Sequence, residues 1–348
     1  MNKENNKIID IGVEVEDNYI NNDVEWMAKI VDAAHKHDTV TIKIFEPVAI
    51  EELNYKGKRL LAILDEVCAT NRWDLRKFHF ETTNLVQDKS VWPSINCAND
   101  NEIFLRAMEV KPQRDKSFDK TFGVLVNRSN WDRLLISSYL FFKHKEKTFQ
   151  RYCNDLKDPM HMLHMDFDRM LWYTSSAGVL DQQLIEQVMN FMKQLPLGEH
   201  VYKIIKGDEG KIVDHATSAD VTNLYSNFFV DIVCEKMNAG QVLYLTEKTA
   251  RPIMTMNPFI INASVNHLSN LKKLGFKTFS KYWSEDYDYQ NGIARIMSIN
   301  NICDDLSKLS PDQVAHMYKD MIPTLEHNRR VYESLTQKKI KQAFINLG

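Results

Sequence analysis

The sequence is poor in the features that announce many common functions. No apolar run approaches the ~20 residues needed to span a bilayer. The opening stretch, MNKENNKIID, lacks the apolar core of a signal peptide, so the chain is expected to stay in the cytoplasm. Its five cysteines (Cys68, Cys97, Cys153, Cys234, Cys303) lie far apart and form no CxxC pair. That spacing argues against a disulfide framework or a zinc knuckle and leaves buried free thiols as the expectation. Glycine occurs only 11 times in 348 residues. None of these glycines builds GxGxxG or GxxxxGK[ST], which argues against a nicotinamide-dependent enzyme and a nucleoside-triphosphate hydrolase. GxSxG is also missing, which argues against a standard α/β-hydrolase. Internal repeats and low-complexity segments are absent.

What remains is ordinary globular material, 44% hydrophobic and 26% charged, long enough for one large domain or two of usual size. The net charge of −3 is unevenly spread. Residues 1–55 carry 12 Asp/Glu against 5 Lys/Arg, and residues 106–151 carry 11 Lys/Arg against 5 Asp/Glu. The basic stretch suits a polyanion such as double-stranded DNA; it equally suits a solvated face that neutralises the acidic part.

Periodicity predicts strands over 8–15, 39–45, 77–81, 121–126 and 228–233, with helices over 23–37, 59–70, 130–143 and 181–194 between them. That alternation implies parallel sheets covered by helices. Gly207-Asp208-Glu209-Gly210 reads as a hairpin turn. Further strands are expected over 242–245, 258–261 and 276–279, a helix over 267–274 closed by Gly275, and mostly helical stretches over 311–328 and 329–345 with a break or kink at Pro323. His161, His164 and Asp166 invite a metal reading through their i, i+3 spacing. No second ligand cluster accompanies them, so a structural or acceptor-lining role is preferred and no metal is expected.

The stretch around which the chain is organised is 225–259. Its first strand is followed by Glu235, and Thr246-Glu247-Lys248-Thr249 reads as a helix start capped by Thr246. Free N–H groups and the helix dipole favour an anion at such a place, whereas a lysine there opposes the dipole. A phosphate between the two reconciles them; a solvated helix start with a surface lysine is the plain alternative. Arg128, at another strand-to-helix turn, offers a second anion-friendly position or caps a neighbouring group.

An aromatic-rich strand ending in Glu235, a loop, Thr246-Glu247-Lys248, and then Pro258-Phe259-Ile260 resembles the donor-binding signature of fucosyltransferase-like GT-B glycosyltransferases. With Leu271 to Phe279 and Glu285-Asp286-Tyr287-Asp288, the pattern is also similar to viral and phage proteins. It covers roughly residues 225–290. The resemblance implies two Rossmann-like domains facing a central cleft: 1–155 on the acceptor side, 156–310 holding the donor, and terminal helices 311–348, the last crossing back. It implies a UDP- or GDP-linked sugar as substrate and no cofactor. Lys248 would contact donor phosphate, Glu247 the ribose or sugar, and Glu235 would be a second donor contact. Thr246 and Thr249 would form the helix start. Arg128 and Arg133 match an Arg-containing segment of such enzymes. Glu46 and Glu81, at predicted strand ends, are candidate catalytic bases, although both positions suit ordinary capping carboxylates. The acceptor is expected to be a hydroxymethylated base in phage DNA, reached in the host cytoplasm, or else a glycan or lipopolysaccharide. A non-catalytic nucleotide-sugar or nucleic-acid binder is the remaining alternative.

Overall fold

The computed structural model describes residues 6–11, 15–16, 19–20, 25–44, 49–85, 92, 95–97, 116, 118–152, 163–198, 205–206, 212–213, 223–236, 238, 240 and 242–345. It is a mixed α/β protein with parallel sheets flanked by helices, and it divides into two compact units. Unit 1 comprises Met1–Glu102, Gly240–Tyr244 and Thr336–Gly348; unit 2 comprises Ile103–Ala239 and Leu245–Leu335. No described helix is long and apolar enough to cross a membrane.

Unit 1 is built on β1 (Asn6–Asp10), β2 (Thr39–Ile44), β3 (Phe78–Thr82) and β4 (Ile95–Cys97), parallel and in sequential order. Helices α1 (Trp26–Lys36) and α2 (Leu60–Asn71) make the connections. Buried Val40, Ile42, Phe78 and Phe80 pack with Ile30 and Leu64 of those helices in one core. Strand β1 stops at Asp10, earlier than the alternating pattern to Val15 predicts. Val15–Glu16 pairs instead with Tyr19–Ile20 in a separate small ribbon.

Unit 2 contains β5 (Lys120–Val126), α3 (Trp131–Lys143), β6 (Thr148–Tyr152), α4 (Leu163–Ser176), α5 (Gln182–Met192), β7 (Phe228–Cys234), α6 (Glu247–Thr255), β8 (Phe259–Asn262), α7 (His267–Lys273), α8 (Gly292–Ser307) and α9 (Pro311–Glu333). Its sheet is parallel with order β6-β5-β7-β8. All seven residues of β7 are buried, the continuous pattern of a strand covered on both faces. Asp231, in the middle of that strand, accepts from the Tyr225 hydroxyl at 2.9 Å. Burial pushes its carboxyl up to about 7 even though Tyr225 and Arg251 pull the other way. Gly123 of β5 is needed for close approach: a Cβ there would lie 2.3 Å from the Phe228 ring.

Three expectations are corrected. The run 242–245 is buried coil, because its backbone bonds go to a side chain and a loop rather than a ladder: Leu243 N–H donates to Asn84 Oδ1 and Leu243 C=O accepts from Leu85 N–H, both at 2.9 Å. The run 276–279 is not a strand either. The Asn328 side-chain amide takes both backbone groups of Lys277 at 2.8 Å, as a neighbouring strand would. Pro323 does not break α9, which continues to Glu333 with Met321 and Leu325 buried on either side of it. Packing there outweighs the lost backbone bond.

The Gly207–Gly210 turn and Glu46 lie outside the described residues, as do His161 and the part of the basic stretch from 106 to 115. The strands flanking the turn, Ile205–Lys206 and Ile212–Val213, pair antiparallel.

Candidate functional site

In unit 2 the chain leaves β5 for β6 on one side and later returns to β7 on the other. This reversal of strand order falls at the carboxyl ends of β5 and β7, the usual ligand position in open α/β sheets. Three segments meet there: the 127–130 turn after β5, Glu235 after β7, and the amino end of α6.

Glu235 organises the place. It is 1% exposed. It accepts from the hydroxyls of Thr246 at 2.6 Å and Thr249 at 2.5 Å, from Thr249 N–H at 3.1 Å and from Lys236 N–H at 3.3 Å. Its carboxylate thus occupies the electropositive amino end of α6 and satisfies N–H and O–H donors that burial would otherwise orphan. Thr246 is the N-cap and also receives Lys248 N–H at 3.2 Å. The chain itself supplies the anion at this helix end.

Lys248 Nζ lies 2.8 Å from Glu247 Oε1 and 3.5 Å from Thr246 Oγ1, with a quarter of its side chain exposed. Arg251 Nη2 approaches the same Glu247 oxygen at 3.5 Å. Burial pushes the Glu247 carboxyl up, but Lys248 and Arg251 outweigh it and bring it down to about 2. Glu247 is therefore a fixed anion bracketed by two cations, and Lys248 is the more accessible of them.

Arg133, in the first turn of α3, ties the two strand ends together. Its Nη1 donates to Arg128 C=O at 3.0 Å and its Nη2 to Glu235 C=O at 2.9 Å. Its buried Nε has no hydrogen-bond partner among the described residues. The Arg128 side chain is exposed beside this brace and makes no hydrogen bond or ion pair among the described residues. The predicted positions Thr246, Glu247, Lys248, Thr249, Glu235, Arg128 and Arg133 thus come together at the carboxyl ends of β5 and β7. Glu81 belongs to unit 1, in β3, 4.0 Å from Lys43 and about one-third exposed.

Asp132 has no counterpart among the residues singled out from sequence. It is fully buried in the first turn of α3 and accepts from Asn262 Nδ2 at 2.5 Å, linking α3 to the end of β8. Burial pushes its carboxyl up, opposed by Arg133 and Asn238. An acid in a first helical turn reads as an ordinary partner of the helix dipole, so the sequence carries no signal for this deeper role.

The loop over 282–289, YWSEDYDY, also places acids in structural roles. Asp288 accepts from Leu268 N–H at 2.8 Å and Ser269 N–H at 3.0 Å, capping α7, and pairs with fully buried Arg295. Glu285 accepts from Phe279 N–H at 2.6 Å and Thr278 O–H at 2.7 Å.

In the described part of the basic stretch several cations are held within the protein. Lys120, Arg133 and Lys147 donate to backbone carbonyls, Lys143 pairs with Asp304 at 2.6 Å, and Lys116 is held by Asn257 and Tyr225 C=O. No group of three or more His, Cys, Asp or Glu positioned to hold a metal ion occurs among the described residues. No protein-family model, curated protein or solved structure matches the chain.

Proposed function

We propose that this chain is a nucleotide-sugar-dependent glycosyltransferase and that unit 2 holds the donor diphosphate outside the carboxyl ends of β5 and β7. One observation carries the proposal: the strand-order reversal coincides with the turn bearing Arg128, the first turn of α3 with Arg133, and the Lys248 turn. Cations at that position suit a UDP- or GDP-linked sugar, whose departing diphosphate needs charge stabilisation that is strongest in the transition state. Lys248 exchanges Glu247 for a phosphate oxygen, and the Arg128 side chain swings onto the second phosphate. Glu247, released from Lys248 but still near Arg251, accepts from a ribose or sugar hydroxyl. Arg133 and Glu235 act through the backbone: one fixes the two strand ends, the other holds the amino end of α6. Glu235 is in this respect an anchor, not a second donor contact.

In the GT-B division of labour, unit 1 presents the acceptor, with Glu81 as the candidate base within its described residues. A DNA acceptor tracked through residues 106–151 has fewer free cation tips to meet, since Lys120 and Lys147 are held by carbonyls and Lys143 pairs with Asp304. A glycan hydroxyl needs no such track.

The test is a mass-spectrometric screen of UDP- and GDP-sugars against hydroxymethylated DNA and simple glycans. Transfer to one acceptor class is expected. Lys248→Ala is expected to lose most turnover at unchanged melting temperature; retained turnover removes Lys248 from the mechanism.

A further inference from the structure

Unit 2 contains a cavity of about 450 Å³ between the 282–290 loop and α8. That volume falls within the ~300–1,000 Å³ of small-molecule sites. Its position is distinct from the carboxyl ends of β5 and β7. Arg295, near the start of α8, donates to Ala263 and Ser264 just beyond β8, at the carboxyl edge of the sheet. At the other end of α8, Lys147, which immediately precedes β6, donates to Leu309 C=O at 3.0 Å. The helix therefore runs from the carboxyl edge toward the amino edge. The cavity is lined by α8 from Ser298 to Leu306, by Leu309 just beyond it, by the 282–290 loop and by Met317 of α9.

The lining has two characters. Trp283, Tyr287, Ile302 and Leu306 are buried and form an apolar wall, whereas Asp286, Asn301 and Asp305 are exposed. Gln290 and Ser298 add an amide and a hydroxyl, bonded to each other at 2.6 Å. No lysine, arginine or histidine lines the cavity among the described residues. That composition is unsuited to a phosphate, which needs cationic donors. The indole N–H of Trp283 is buried with no hydrogen-bond partner among the described residues, behind the ring surface that the cavity meets.

We infer that this cavity binds a neutral pyranoside, whose C–H face lies on the aromatic wall and whose hydroxyls meet the carboxylates and amides. Aromatic surface combined with a few convergent polar groups is the general form of such a site. The site is independent of the donor site: its occupant carries no phosphate and meets none of Arg128, Arg133 or Lys248.

The experiment uses the full chain and saturation-transfer NMR with methyl α-D-glucopyranoside and methyl N-acetyl-β-D-glucosaminide. Cadaverine serves as the cationic control. Saturable binding of at least one glycoside is expected. Asn301→Trp, a substitution at an exposed position that fills the cavity, is expected to weaken binding at least about tenfold. Lys248→Ala is expected to leave it unchanged. Absence of saturable glycoside binding overturns the inference, as does binding of cadaverine alone or glycoside binding indifferent to Asn301→Trp. Loss of UDP or GDP binding with glycoside binding retained would count against the donor site only.

Discussion

Lys116 provides the sharpest test of the energetics. Its ammonium donates to Asn257 Oδ1 and, at 3.3 Å, to Tyr225 C=O, and it lies 5.7 Å from the Tyr318 ring. None of these partners is an anion. Desolvation therefore acts without an opposing charge and lowers the amine from its ordinary 10.5 to about 7. Between those two pH values the unfolded chain binds a proton that the folded chain does not, so stability rises with pH across that window. Below about 7 both states are charged and the penalty is complete; above about 10.5 both are neutral and it disappears. At ~1.4 kcal/mol per pH unit, the full span sets an upper bound of about 5 kcal/mol. Partial exposure of the residue reduces this to about 2–4 kcal/mol. Lys116→Met removes the titration but leaves Asn257 Oδ1 without its donor, at a cost of ~1–2 kcal/mol. The variant is therefore expected to be more stable than the wild type by about 1–2 kcal/mol at pH 7, with the difference shrinking or reversing by pH 10. Urea unfolding of both proteins across that range isolates the effect, because other titrations cancel. A difference that stays flat with pH, or a variant less stable at pH 7, refutes the reasoning.

Gly123→Ala puts a methyl group 2.3 Å from the Phe228 ring, and with Phe228 packed on Phe149 and Tyr225 there is little room to yield. A loss of about 2–4 kcal/mol by chemical denaturation is expected, and a neutral effect would contradict the tight β5–β7 approach. Glu235→Ala strips buried donors on Thr246 and Thr249 of their acceptor and removes the anion from the end of α6; about 3–5 kcal/mol of destabilisation is expected in the same assay. Glu235→Gln, which keeps the shape but points an NH₂ group at donors, should fall between that variant and the wild type.

The parallel strands were legible because burial on both faces writes a continuous apolar run, as in FFVDIVC. The same property misleads at Val242–Leu245, where apolar residues sit in coil held by Asn84; at Phe276–Phe279 the Phe-Lys-Thr-Phe run reads as a strand but Asn328 replaces a strand partner. A side-chain amide 51 residues away leaves no trace in local periodicity. The capping threonine and the turn at Thr246–Thr249 were readable from residue type and spacing. The pairing of Lys248 with adjacent Glu247 was not, since neighbours at i, i+1 do not share a helix face as a rule. Asp132 was hidden for a related reason: its partner Asn262 is 130 residues distant.

The central claim is that a diphosphate displaces Glu247 from Lys248 at the strand-order reversal. Calorimetric titration of UDP and of GDP into the wild type and Lys248→Ala tests it most directly. One nucleotide should bind the wild type with 1:1 stoichiometry, and the variant at least about tenfold more weakly. Equal affinity for both proteins, or no heat with either nucleotide, would contradict it.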